Sequence, residues 1–162
     1  MRKKPELSLR ARALQYLARR EYSRAELRGK LLPYTGSDGE SGQPQAGELD
    51  ALLDDLTARG WLSDARATTQ LLHAKRSRFG AHRIAQELRR KGIAEELIGA
   101  ALPGLLETEL DAARNVWQKK FGLLPQGDKE KARQVRFLQS RGFSMEVIFK
   151  ILKADNPEGG SI

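Results

Sequence analysis

The side chains in this sequence that could do chemistry are two histidines, a few adjacent carboxylates and many arginines and lysines. His73 and His82 stand nine apart, so they do not share the i,i+4 face of a zinc-binding pair, and neither sits in a His-Glu-x-x-His motif. Lone histidines among basic residues read as surface or interface groups. Gly36, Gly39 and Gly42 have no preceding strand and no following Lys, so no phosphate cradle is expected there. Asp54 and Asp55 are neighbours, and neighbours on a helix point roughly 100° apart. They read as a solvated acidic face rather than an acid–base pair. No serine lies in a Gly-x-Ser-x-Gly elbow. The absence of cysteine removes disulfides, thiolate metal sites and a thiol nucleophile. The expectation is a protein that is not an enzyme and uses no metal or other cofactor.

What remains is binding through charge. Residues 1–30 carry ten basic and three acidic side chains, residues 31–70 two against seven, and residues 71–92 seven against one, while residues 93–162 balance at ten each. Such segregation points to a polyanion or an acidic protein surface as partner. The second basic block runs Lys75-Arg76-Ser77-Arg78-Phe79-Gly80-Ala81-His82-Arg83 and on to Arg89-Arg90-Lys91. Arg76, Arg83 and Arg90 are seven apart, and a tight turn at Gly80 would line them along one side of adjacent helices. The guanidinium fork fits carboxylate and phosphate alike. The candidate binding residues are Lys75, Arg76, Arg78, His82, Arg83, Arg89, Arg90 and Lys91, with Arg12, Arg19 and Arg20 as a second set. Phe79 stands alone in this block, which argues against a base-stacking platform built on several rings. Trp61, Trp117, Phe137 and Phe143 are expected in the core or at helix junctions.

The elements that must position these residues read as helices. Of the 162 residues, 40% are hydrophobic and 31% charged; Ala, Leu, Arg, Glu and Gln abound while aromatic and β-branched residues are few. No apolar run follows the basic start, so Met1–Pro5 does not read as a secretion signal. The longest uncharged stretch, Leu97–Leu106, falls far short of the ~20 residues of a membrane span. A cytoplasmic chain without a membrane partner is expected. Leu9, Ala13, Tyr16 and Leu17 form a stripe within Ser8–Arg20, and Ser23-Arg24-Ala25-Glu26 is a capping box opening a short helix with Leu27 and Leu31 on one face. Residues 33–47 have nothing to bury and read as a flexible loop. Helix resumes at Glu48, with Leu49, Leu52, Leu53 and Leu56 on one side. Arg59-Gly60-Trp61, Lys91-Gly92-Ile93 and Arg141-Gly142-Phe143 each read as a helix end: the base meets the negative terminus, glycine turns left-handed and the apolar residue folds back. Further helices are placed at about 64–78, 81–91, 94–102, 107–121, 129–141 and 144–154, with Pro103 and Pro125 in connections. The fold class is all-α, about nine short helices in three units of three: 1–62 (with the loop 33–47), 63–105 and 106–156, followed by a disordered tail, 157–162.

The order of motifs resembles the RecX regulatory family along nearly the whole chain. Tyr22-Ser23-x-x-Glu26-Leu27-x-x-Lys30-Leu31 resembles its first motif, and Gly60-Trp61-Leu62-Ser63-Asp64-x-Arg66 its Gly-aromatic-Leu-x-Asp-x-Arg segment. Arg83-Ile84-x-x-Glu87-Leu88-x-x-Lys91-Gly92-Ile93 and Arg133-x-x-Arg136-Phe137-Leu138-x-x-Arg141-Gly142-Phe143 are similar to its central and C-terminal signatures. Two positions depart. Ala67 stands where the family commonly has a large aromatic, and Ala81 where it often has proline. The resemblance implies three tandem three-helix repeats in an elongated, curved molecule. It also implies a non-catalytic regulator that binds the groove of the RecA nucleoprotein filament and restrains RecA's ATPase, strand-exchange and coprotease activities. A monomer is expected, with DNA as a weaker, electrostatic partner. The rival expectation, from the residues alone, is an autonomous DNA-binding protein of helical-repeat type.

Overall fold

The computed structural model describes residues 6–36 and 42–154. Among these residues the secondary structure is eight α-helices and one 3-10 turn, with no strand. The helices are α1 Leu9–Arg19, α2 Arg24–Leu31, α3 Ala46–Ala58, α4 Asp64–Lys75, α5 Ala81–Arg90, α6 Glu95–Lys120, α7 Asp128–Ser140 and α8 Met145–Ala154; the 3-10 turn is Leu32–Tyr34. The all-helical class read from the sequence is the one found. No helix among the described residues is long and apolar enough to cross a membrane.

Local grammar sets most of the boundaries. The Ser23 hydroxyl accepts from the Glu26 amide and the Glu26 carboxylate accepts from the Ser23 amide, both at 3.1 Å, so the capping box closes as expected. Gly60, Gly92 and Gly142 all have positive φ. At two of these ends the paired bonds that satisfy a helix terminus are complete. The Gly60 amide donates to Thr57 and that of Trp61 to Leu56, both at 3.0 Å; the Gly142 amide donates to Gln139 at 2.9 Å and that of Phe143 to Leu138 at 3.2 Å.

Three expectations need correction. The separate helices placed at 94–102 and 107–121 are one helix, α6, with Pro103 inside it. Proline in a helix interior costs about 3 kcal/mol, but the buried stripe Ile98, Leu105, Ala112, Trp117 keeps its helical phase across Pro103. Burying each large side chain is worth about 1.5–3 kcal/mol, so a continuous helix is favoured. Trp61 lies at the α3–α4 junction, one of its two expected places, but its side chain does not fold back: it is 46% exposed, and Leu62, at 2%, takes the buried position after Gly60. The loop is shorter than 33–47, because the 3-10 turn occupies Leu32–Tyr34 and α3 starts at Ala46. The Gly36 amide donates to the Pro44 carbonyl at 2.9 Å. Residues 37–41 of that loop and the tail 157–162 lie outside the described residues.

The chain forms two compact units. Among the described residues, the first contains those up to Gln70 together with Lys91–Ile93, and the second contains Leu71–Arg90 and those from Ala94 onward. In the first, Leu27, Leu31, Leu49, Leu53 and Leu56 are fully buried with Ala13. In the second, Ala113, Trp117, Leu138, Phe143 and Ile148 form the centre. The second unit also contains a close backbone crossing. The Gly80 amide donates to the Arg141 carbonyl at 2.8 Å. A Cβ on Gly80 would overlap the Gly142 carbonyl, and one on Gly142 would overlap Arg83. Two glycines thus let the α4–α5 turn lie directly on the α7–α8 turn.

Candidate functional site

In the first basic block four arginines, Arg10, Arg20, Arg24 and Arg28, are paired within their own unit, while Arg12, Arg19 and Lys30 make no ion pair among the described residues. Arg24 pairs with Asp54 at 2.7 Å, Arg28 with Asp50 at 2.9 Å, and Arg10 and Arg59 both reach Asp55, at 2.5 and 3.0 Å. The acidic face of α3 is therefore not merely solvated: Asp54 and Asp55 are partners for arginines. The hydrogen bond from Arg28 holds the Asp50 carboxyl below its ordinary range, and those from Arg10 and Arg59 do the same for Asp55. Of the second candidate set, Arg20 pairs with Glu26 at 3.0 Å and stacks 3.6 Å from the Tyr22 ring centroid, and Arg12 lies 3.7 Å from that of Tyr34. Arg19 is exposed at the end of α1. Burial alone would raise the Glu26 pKa, but the Arg20 hydrogen bond, the Ser23 amide and the Lys91 charge leave it lowered.

The second block differs. Helix α5 buries Ala81, Ile84, Ala85 and Leu88 and leaves His82, Arg83, Gln86, Arg89 and Arg90 exposed. Arg83 and Arg90 are two turns apart on its outer face. Three of the predicted cations are self-paired: Lys75 with Glu87 at 3.2 Å, Arg89 with Glu95 at 2.7 Å, and Lys91, in the first unit, with Glu26 at 3.6 Å. Arg76, Arg78, Arg83 and Arg90 make no ion pair among the described residues. Arg76 donates to the Thr108 hydroxyl at 3.2 Å and Arg83 to the Ser140 carbonyl at 3.0 Å. His82 approaches Gln86 at 3.1 Å, and His73 is exposed. Among the described residues no three metal-ligating side chains gather.

Phe79 organises the turn. Its ring centroid lies 4.2 Å from the Arg83 guanidinium carbon, 5.3 Å from that of Arg141, 5.6 Å from that of Arg78 and 5.4 Å from the Lys75 ammonium. Arg141 is at the end of α7, as its glycine motif implied, but it also joins this cluster, which helix-end reasoning missed. Lys119 and Lys120, in the last turn of α6, also lie outside the residues expected from the sequence. Their signal was two adjacent cations closing an apolar stripe.

Comparison with known proteins adds a family context. Family models described as the second and third three-helix domains of RecX match residues 63–102 and 107–152. The chain is 46% identical over 155 residues to the regulatory protein RecX of Leptothrix cholodnii, covering 96% of this chain and 94% of that one. It is 45% identical over 145 residues to the protein of the same description from Chromobacterium violaceum, covering 90% and 89%. Among solved structures it is similar to the crystal structure of RecX from Lactobacillus salivarius, with a TM-score of 0.70 at 16% identity over 90% of this chain and 93% of that one. A second crystal structure, of a regulatory protein RecX, gives 0.73 at 20% identity over 91% and 72%.

Proposed function

The chain belongs to the RecX family of regulatory proteins, and from that premise we propose that it binds the RecA nucleoprotein filament as a monomer and inhibits it without catalysing a reaction. The observation that carries the reading is the cationic surface around α5. Its apolar side is buried, and Arg76, Arg78, Arg83 and Arg90 make no ion pair among the described residues. A DNA-coating filament presents acidic side chains beside phosphate, and arginine forks suit both. The site of action is the cytoplasm, where the filament forms. Inhibition works by occupancy: a bound regulator hinders the movements that ATP hydrolysis and strand exchange need.

The test is DNA-dependent ATP hydrolysis by RecA, measured against regulator concentration. Replacing Arg76, Arg83 and Arg90 together by alanine weakens inhibition at least tenfold, which needs only about 1.4 kcal/mol in total. Fold stability falls by about 1–2 kcal/mol, from the Arg83 contacts with Phe79 and the Ser140 carbonyl and the exposed Arg76 bond to Thr108. Arg59→Ala, at a helix end in the first unit, has a smaller effect on inhibition. Full potency in the folded triple variant moves the binding surface off α5.

A further inference from the structure

We propose that the cleft formed by the ends of α6 and α7 and the turn after α4 is a phosphodiester site that takes the backbone of a nucleic-acid strand. The cleft has a volume of about 290 Å³, and four cations line it: Arg78, Lys119, Lys120 and Arg141. Ser77 and Asn115 add neutral donors, and Phe137 supplies an apolar wall. No carboxylate is among the lining residues, and none of the four cations makes an ion pair among the described residues.

Gathering four like charges costs stability unless something offsets the repulsion. Helix ends offset part of it. Lys119 and Lys120 close α6 and Arg141 caps α7, and each helix end carries roughly half a negative charge. Two such ends leave most of the positive charge uncompensated. The groups are also held in place rather than dispersed. The Arg141 guanidinium carbon is near two rings, 5.3 Å from the Phe79 centroid and 5.2 Å from that of Phe137. Lys120 is 5.4 Å from the Phe137 centroid and Arg78 is 5.6 Å from that of Phe79. Ring contacts limit the side chains' freedom while leaving N–H groups available to an anion. A lone carboxylate brings one charge and two acceptor oxygens, too little for this donor set. A strand brings a charge at each phosphate, and its sugars can lie against Phe137.

In the filament the strand would be DNA, and to that extent the proposal rests on the function proposed above. The test on a bare strand keeps the two apart. Binding of the full chain to a labelled oligothymidylate of about 30 nucleotides is followed by anisotropy over a salt series, where each phosphate contact contributes roughly 0.7 to the slope of log affinity against log salt. The double variant Arg78→Gln/Arg141→Gln should lose at least tenfold in affinity at low salt and about 1.4 in slope. The matched pair Lys129→Gln/Lys131→Gln, which does not line the cleft, should lose less than half as much. Equal losses in both pairs mean diffuse attraction and overturn the site. So does unchanged binding in a folded cleft variant, including one that no longer inhibits RecA, since the cleft would then serve an acidic protein surface. Should circular dichroism show that the arginine pair does not fold, Lys119→Gln/Lys120→Gln, two exposed side chains of the same cleft, decides by the same criteria.

Discussion

Single residues show where local reasoning works and where it stops. Gly142 was legible because a base, a glycine and a large apolar residue spell a helix end. The sequence around Gly80 announces only a turn, yet Gly80 is the point where two turns touch. Alanine at Gly80 puts a methyl group into the Gly142 carbonyl, an overpacking that costs about 1–3 kcal/mol. Gly29, exposed inside α2, has open space around its missing Cβ, so Gly29→Ala stabilises by about 0.5–1 kcal/mol. Thermal melts of the two variants should move in opposite directions from wild type. A Gly80→Ala protein as stable as wild type would show that the crossing is loose. Trp61 teaches the same limit from the other side. The motif asked for an apolar residue to fold back after Gly60, and two candidates stood in a row. Only packing decides that Leu62 goes inside.

At the scale of elements, caps and stripes were readable because they are written within a few residues of each other. The continuity of α6 was not, since it depends on a buried stripe outweighing Pro103, a tertiary term that proline alone does not announce. The pairing of α3 with α1 and α2 was half legible: the opposed charge blocks stood out, but not that they answer each other. This pairing makes acid stability a test. Arg28 and Arg10 hold the Asp50 and Asp55 carboxyls below their ordinary range, and Glu26 is likewise lowered. A lowered folded-state pKa gives stability that is complete above the unfolded values, about 3.9 for Asp and 4.3 for Glu, and that is lost as pH falls through the folded values. Stability should therefore decline below about pH 4–5, and Asp50→Asn/Asp55→Asn should lower the neutral plateau and flatten that decline. An acid limb of unchanged steepness in this variant would mean that the pairs contribute nothing.

For the molecule as a whole, the net charge of +8 is a poor guide until internal pairs are removed. Three arginines of the first basic block, Arg10, Arg24 and Arg28, answer α3, and Lys75, Arg89 and Lys91 of the predicted contact residues are self-paired. Among the described residues, seven cations without an ion pair lie around α5 and in the cleft: Arg76, Arg83 and Arg90, and the Arg78, Arg141, Lys119 and Lys120 of the cleft. The α5 part was legible because its cations are close in sequence. The cleft was not, since its residues come from three separate segments that meet only in the folded second unit. The central claim is that this surface serves a coated filament in preference to a naked strand, and a salt titration tests it most directly. Binding of the full chain is measured side by side on a bare single strand and on the same strand coated with RecA. Bare-strand affinity should fall steeply with salt as counterion release is lost, while the coated strand should still bind at a salt concentration that removes the chain from the bare one. Two curves that fall together, or a preference for the bare strand, would contradict the account and leave an autonomous nucleic-acid-binding protein in its place.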